Sequence, residues 1–595
     1  MKNKIIKLVA FCLSITLMIF LPALFSLGFE LYLNISMKST GKLPTVDNYK
    51  KLEQLVGNTR YVEYDTWLPD FEMGTDVRRD FVFNSGDMAG INSKSYNSSI
   101  FDGFIESTTG TAQDYSTTNT QVTNVDEADI LKNDGKYIYM IAKNKLIIVE
   151  AFPAENMKKV SEIEMENGYR AIDMYISGDK LFLVTDDYNR DYGSNSFRLY
   201  NNSANIETKV ILYDITDRNN PKSIKTFEFT GSYTSSRLNG NTVYLFSNMN
   251  VKKNGDIVIP SYKENDFTSF KDVELTEVQY VPNDSYNSYT QIFAFDLSTP
   301  SNSPKVVTYL GSSAKNVYMS LGNLYMAQNV SGETVVYKFD LDNAYPRFEA
   351  KGKVPGTMIN QFAMDEYDSN FRIATTKNSV SGVYILSESM HRLGSVNNIA
   401  RGEQIKSVRF EGNRGYVVTF RNTDPLFVID LSKARAPKIL GELKITGYST
   451  YLHPYDENHV IGFGYDGNSW GTNGSLKIAL FDITDVANPK EKFKEVINAN
   501  SSELLDNHKA LLFSKEKNLI AFPVGSYAWS KDKSTDVGKV YTINLDDGFK
   551  LRGEIKHSSD IERMLFMDDI LYGVSSTNVS AHDINSVNEL NKIDI

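Results

Sequence analysis

The chain has 595 residues, of which 41% are hydrophobic, 12% aromatic and 23% charged, with a formal net charge of −11. That composition excludes a wholly disordered chain, and the acidic balance argues against a nucleic-acid binder held by phosphate contacts. The one cysteine, Cys12, excludes an intrachain disulfide framework and a thiolate metal cluster.

Lys2, Lys4 and Lys7 precede an uncharged run of 22 residues, Leu8 to Phe29. The run exceeds the roughly 7–15 apolar residues of a signal-peptide core and matches the ~20 residues that span a bilayer. Residues 1–33 are therefore expected to be a signal anchor, or a signal peptide cleaved after Gly28. The lysines should stay in the cytoplasm, which places everything beyond Glu30 outside. That exported part is cysteine-free, and without Lys2, Lys4, Lys7 and Glu30 (net +2) it carries about −13.

Residues 34–124 are expected to be a spacer. Asp47 can cap a short helix with Tyr49, Leu52, Leu55 and Val56 at helical spacing. Residues 85–121 are rich in Ser, Thr, Asn and Gly, and the run STTGTAQDYSTTNTQ (107–121) is expected to be a linker without regular structure.

From Val125 onward one pattern recurs: a strand-like run, a carboxylate or its substitute as marker, a turn and often Pro. The marker is Glu150, Asp214, Asp296, Asp340, Ser387, Asp430, Asp482, Asn544 and Asp583, at an uninflated period of about 39–47 residues. Two runs joined by a tight turn precede each marker strand, as in SVRFEGNRGYVVTF (407–420). Gly or Asn in these turns supplies the positive φ that a two-residue hairpin needs. Another run follows the marker, as in PKILGELKI (437–445). Four short alternating strands at this period make a propeller blade. The fold is expected to be all-β: a single large β-propeller over residues 125–595, with eight or nine four-stranded blades. The marker Asp is best read as a turn residue accepting backbone N–H bonds, because one ligand site would not need it in every blade.

The segment VDEADILKNDGKYIY (125–139) carries a resemblance. Residues 118–595 resemble a family of exported bacterial and archaeal proteins whose β-propeller is distantly related to WD-repeat propellers. The resemblance implies export and a propeller, and it carries over no catalytic residue. There is no Trp-Asp dipeptide, no kelch-type Gly-Gly doublet, no Asp box and no Trp in the repeat strands, which sets other propeller families aside.

Insertions fall between second and third strands, at 186–209, 249–290, 465–475 and 525–539. In a propeller such loops share one face with the entries to the inner strands, and loops on a rigid scaffold carry binding residues. Tyr465 and Trp470 are therefore candidate binding residues on that face. Arg170, Lys315, Lys406, His508 and Arg563, with Lys509 and Glu562 nearby, are expected to ring the channel mouth and attract an anionic ligand. No H-E-x-x-H, P-loop, dinucleotide or G-x-S-x-G motif is present. No metal site and no cofactor are expected, apart from structural Ca²⁺ that acidic clusters at 126–134 or 186–191 can hold. The expected function is binding or scaffolding outside the membrane, with an extracellular protein, a peptide or a cell-wall polysaccharide as partner. The N-terminal helix makes it a single-pass membrane protein, or a secreted one after cleavage, and nucleic acid is no partner. The alternative is an extracellular hydrolase or lyase at the channel mouth.

Overall fold

The computed structural model describes residues 43–57, 111–187, 207–253, 255–265, 269–282, 284–341, 345–420, 424–467, 474–526 and 536–595. The predicted membrane run, the middle of the spacer and Trp470 lie outside the described residues. So do most of the insertions at 186–209 and 525–539.

Among the described residues nine sheets, each built on four antiparallel strands, follow one another along the chain. Their inner strands are Leu131–Asn133, Tyr169–Ser177, Ser232–Asn239, Asn316–Met319, Met364–Tyr367, Gln404–Glu411, Tyr448–Asp456, Leu512–Ser514 and Ile561–Met567. We number the blades 1 to 9 in that order. The last unit, spanning 561–594, is a complete blade and not a displaced piece.

The marker position does what local chemistry predicts. Asp214, Asp296, Asp430 and Asp482 each accept the backbone N–H two residues on, at 2.9 Å. Asn544 and Asp583 do the same at 2.9 and 3.2 Å. These side chains fix the turn into the outer strand.

Packing between blades uses the aromatic excess. The largest fully buried side chains include Tyr139, Tyr175, Tyr325, Tyr416, Tyr451, Tyr541, Tyr572, Phe182 and Phe227. Apolar clusters fill every blade-to-blade interface around the ring. Blade 9 meets blade 1 through Leu565, Met567, Tyr572 and Val574 against Ile138, Met140, Ile147 and Val149. Tyr572 Oη donates to the Ala151 carbonyl at 2.8 Å across this seam. Among the described residues no strand is shared between the first and last blades, so the ring closes there by packing.

Two expectations need correction. The 249–290 insertion does not stay on the loop-bearing face. It folds down the outside, where Ser261–Glu264 pairs with the outer strand of blade 2 (Lys222–Thr230) and Val278–Tyr280 adds in parallel to that of blade 3 (Lys305–Gly311). Unpaired edge strands offer hydrogen bonds, and the insertion takes them.

The spacer is also not free. Helix Tyr49–Gly57 forms, with Leu52 and Val56 buried against Val251, Val273, Val278 and Leu310. Asn48, not Asp47, caps it, accepting the Lys51 N–H at 3.0 Å. Asp47 has φ 66° and uses its N–H on the Leu275 carbonyl instead.

Candidate functional site

The end of the predicted linker and the acidic start of the repeats form a strap through the propeller channel. Ser116 N donates to the Phe566 carbonyl of blade 9. Asn119 Nδ2 reaches Tyr451 Oη of blade 7 at 3.3 Å and the His508 carbonyl, ahead of blade 8, at 3.1 Å. Gln121 Nε2 donates to the Gln361 and Met364 carbonyls at blade 5. Val125–Asp126 then pairs with the inner strand of blade 3, and Asp129 exchanges backbone bonds with Met174 of blade 2. A run read as linker is ordered because these inner-strand groups satisfy its backbone and side chains. Described residues ahead of Val125, from Ala112 to Ser116, already bond to blades 1 and 9.

The strap's acids meet the channel's bases. Asp129 accepts from Arg563 Nε and Nη2 at 3.1 and 2.9 Å, a bidentate pair with both side chains about 5% exposed or less. Glu503 takes a third Arg563 bond at 2.7 Å. Burial pushes the Asp129 carboxyl up, but Arg563 and Lys509 outweigh it and hold it below the usual range. Glu127 lies 3.3 Å from His508 Nε2. Burial opposes its charge, yet Arg237, His508 and the Gln121 N–H hold it at about 2. Burial lowers the His508 pKa despite that neighbour. Lys132 donates to Asp126 at 2.8 Å, and Lys509 to the Ala128 carbonyl at 2.8 Å.

These contacts dismantle the expected ring of anion-attracting bases. Arg563 and His508 are inside the channel, spent on the strap. Arg170 pairs with Asp186 on the neighbouring strand at 2.9 Å. Lys315 is exposed, and its backbone N–H donates to the Ala327 carbonyl. The acidic run expected to suit calcium is dispersed too. Asp126, Glu127 and Asp129 face different bases, and Asp134 accepts the N–H groups of Lys136 and Tyr137 in its own turn. Among the described residues no group of three or more metal-ligating side chains converges.

Lys406 and Tyr465 do come together, on the insertion face. Tyr448 opens the inner strand of blade 7, and Tyr465 ends the next strand. Their rings are 5.4 Å apart. Phe420 of blade 6 packs on Tyr448 at 4.7 Å, and Lys406 Nζ stands 6.0 Å over the Tyr448 ring. All four are only partly buried. Burial, then Tyr448 and Asp506, push the Tyr465 hydroxyl up to about 12, so it stays a neutral donor. This aromatic row with a lysine beside it can stack on a flat or apolar ligand and steer an anionic group.

A second feature lies at the channel mouth. Burial, opposed by Arg563 but reinforced by Glu503 and Asp560, pushes the Glu562 carboxyl up to about 7.

Sequence reasoning missed Arg237, Gln361, Arg409 and the Tyr451–His453 pair. The signal available for Arg409 was a charged residue flanked by apolar ones in an inner strand, VRF (408–410).

Comparison with known proteins places this geometry. The family model described as "Beta propeller domain" matches residues 115–587. An uncharacterized protein of Archaeoglobus fulgidus is 29% identical over 574 residues, covering 81% of this chain and 85% of its own. An uncharacterized protein of Methanocaldococcus jannaschii is 27% identical, covering 81% and 83%. Among solved structures, a eukaryotic initiation factor aligns over 79% of this chain and 96% of its own, at 10% identity and a TM-score of 0.43. The match from 115 takes in the strap, and it agrees with the resemblance carried by 125–139.

Proposed function

Since the chain belongs to the Beta propeller domain family, we propose that it is an extracytoplasmic binding or scaffold protein. It presents the insertion-bearing face to an envelope protein, a peptide or a cell-wall polysaccharide. The observation that carries this reading is the row Phe420, Tyr448 and Tyr465 with Lys406 beside it, partly exposed where the 465–475 insertion leaves blade 7. The apolar run 8–29 supports a place at the outer side of a membrane, with Leu43 onward docked on blade 3 and its insertion. No described helix is long and apolar enough to cross a membrane, and residues 8–29 lie outside the described residues.

The test uses the full chain in detergent with purified wall polysaccharide and, separately, a random acidic peptide library. Retention that falls at least about tenfold in Tyr448→Ala, with unfolding unchanged, is the expected result. Equal retention by wild type and variant on every matrix would remove this face from the function.

The competing reading is a hydrolase or lyase at the channel mouth. Glu562 favours it, because a carboxyl near neutral pKa suits general acid work. The strap weighs against it, since Glu127 and Asp129 are spent on Arg237, His508 and Arg563. Turnover of wall polysaccharide abolished by Glu562→Gln would promote this reading over binding.

A further inference from the structure

Arg409 lies in the middle of the inner strand of blade 6 (Gln404–Glu411) and is 2% exposed. Its Nε and Nη2 have no hydrogen-bond acceptor. Among the described residues no carboxylate lies within the 4.0 Å of an ion pair, although Glu411 and Asp365 act on it from farther off. The other buried arginines and the buried lysine of the channel differ. Arg372 pairs with Asp365, Arg563 with Asp129 and Lys132 with Asp126. Arg237 donates to Gln361 Oε1 at 2.6 Å.

Two more buried donors beside Arg409 are unpartnered. Gln361 Nε2 has no acceptor, and the turn that carries it (Gln361–Ala363) packs against the strand of Arg409. His453 Nε2 is also unpartnered. Its Nδ1 is 2.7 Å from Tyr451 Oη, which already receives Asn119 Nδ2. Donation of the Tyr451 proton to Nδ1 puts the imidazole's own proton on Nε2, the tautomer that makes Nε2 a donor to this site. The charge of Arg409 acts on both Tyr451 and His453. Blades 5, 6 and 7 thus contribute unpartnered donors around one buried positive charge, and the strap residues Asn119 and Gln121 lie over the same wall.

A buried guanidinium without a counter-charge is costly, and removing water from three donors adds to the cost. Water would satisfy the N–H groups but leave the charge. A small anion answers both. We propose that the channel wall of blades 5 to 7 holds a buried monovalent inorganic anion of the halide type, bound by Arg409 with Gln361 and His453 and covered by the strap. The site is independent of whatever the insertion face binds.

The test is crystallography of the full chain in sodium bromide, together with thermal unfolding in bromide against gluconate at equal ionic strength. An anomalous peak is expected within about 3.5 Å of Arg409 Nε or Nη2, in the hydrogen-bonding range for a large anion. Bromide should raise the wild-type midpoint by several degrees through linkage. Arg409→Gln should lose both effects. Gln361→Leu, which keeps the guanidinium, should bind several-fold more weakly and provides the check if Arg409→Gln does not fold. Wild-type density showing only water at Arg409 would overturn the proposal. A peak with no thermal effect would mean an adventitious ion only, and would overturn it equally.

Discussion

Replacing Asp129 by Asn would leave Arg563 buried with Glu503 as its remaining carboxylate. Breaking a buried pair from one side costs about 3–5 kcal/mol, so chemical denaturation should find the variant weakened by that amount. Glu127 adds a pH dependence. Its folded pKa of about 2 lies below the ordinary 4.5, so the stability it contributes is present above pH 4.5 and is lost as pH falls from about 4.5 toward 2. Glu562 has the opposite sign. Its pKa is raised to about 7, so the folded state is penalised as pH rises from 4.5 to 7. Glu562→Gln should therefore leave stability unchanged at pH 4 and raise it by up to about 3 kcal/mol at pH 8. A denaturation series across pH reads both residues, and a stability curve flat from pH 4 to 8 in wild type would contradict the Glu562 assignment. The marker residues belong to the same scale. Asp482→Ala removes a turn bond to the Thr484 N–H and should cost about 1 kcal/mol.

Single elements show where local sequence was enough. The hairpin at Gly412, with φ 49°, and the Asx turn at Asp430 follow from residue type alone, because every partner lies within a few positions. The helix Tyr49–Gly57 was legible in the spacing of Leu52, Leu55 and Val56. Its docking was not, because its partners Val251, Val278 and Leu310 lie some two hundred residues away in sequence. Leu52→Ala should weaken that docking by about 2–4 kcal/mol, the cost of a cavity at a buried leucine. Hydrogen exchange should then show residues 46–57 exchanging faster while the blade strands keep their protection. The strap is the larger instance. STTNTQ reads as a linker because Ser, Thr, Asn and Gln have weak preferences of their own. Those same side chains became channel ligands once the inner strands offered carbonyls and hydroxyls in fixed positions.

Across the whole molecule, the ring has two closures. One is apolar, at the seam between blades 9 and 1. The other is polar, through the strap that touches blades 9, 7, 5, 3 and 2. A chain begun at Ile130 keeps the first and loses the second, leaving Arg237, Lys509 and Arg563 without their strap acids. It should unfold at a lower midpoint than Asp129→Asn does alone, and calorimetry of the two side by side decides the matter.

The repeat period, the turn residues and the Tyr and Phe content determined a propeller, since blade formation rests on short-range pairing and on alternation within each strand. The acidic start and the basic inner-strand residues were both visible in the sequence, as two separate features. Only the tertiary structure joined them, because Asp129 and Arg563 are 434 positions apart and no periodicity relates them. It also settled the count at nine blades, since the number that closes depends on how wedge-shaped sheets pack around a filled centre. The sequence suggested an open basic mouth; the strap fills it and pairs Arg563 and Lys132 with its acids, leaving the aromatic row beside Lys406 as the accessible chemistry.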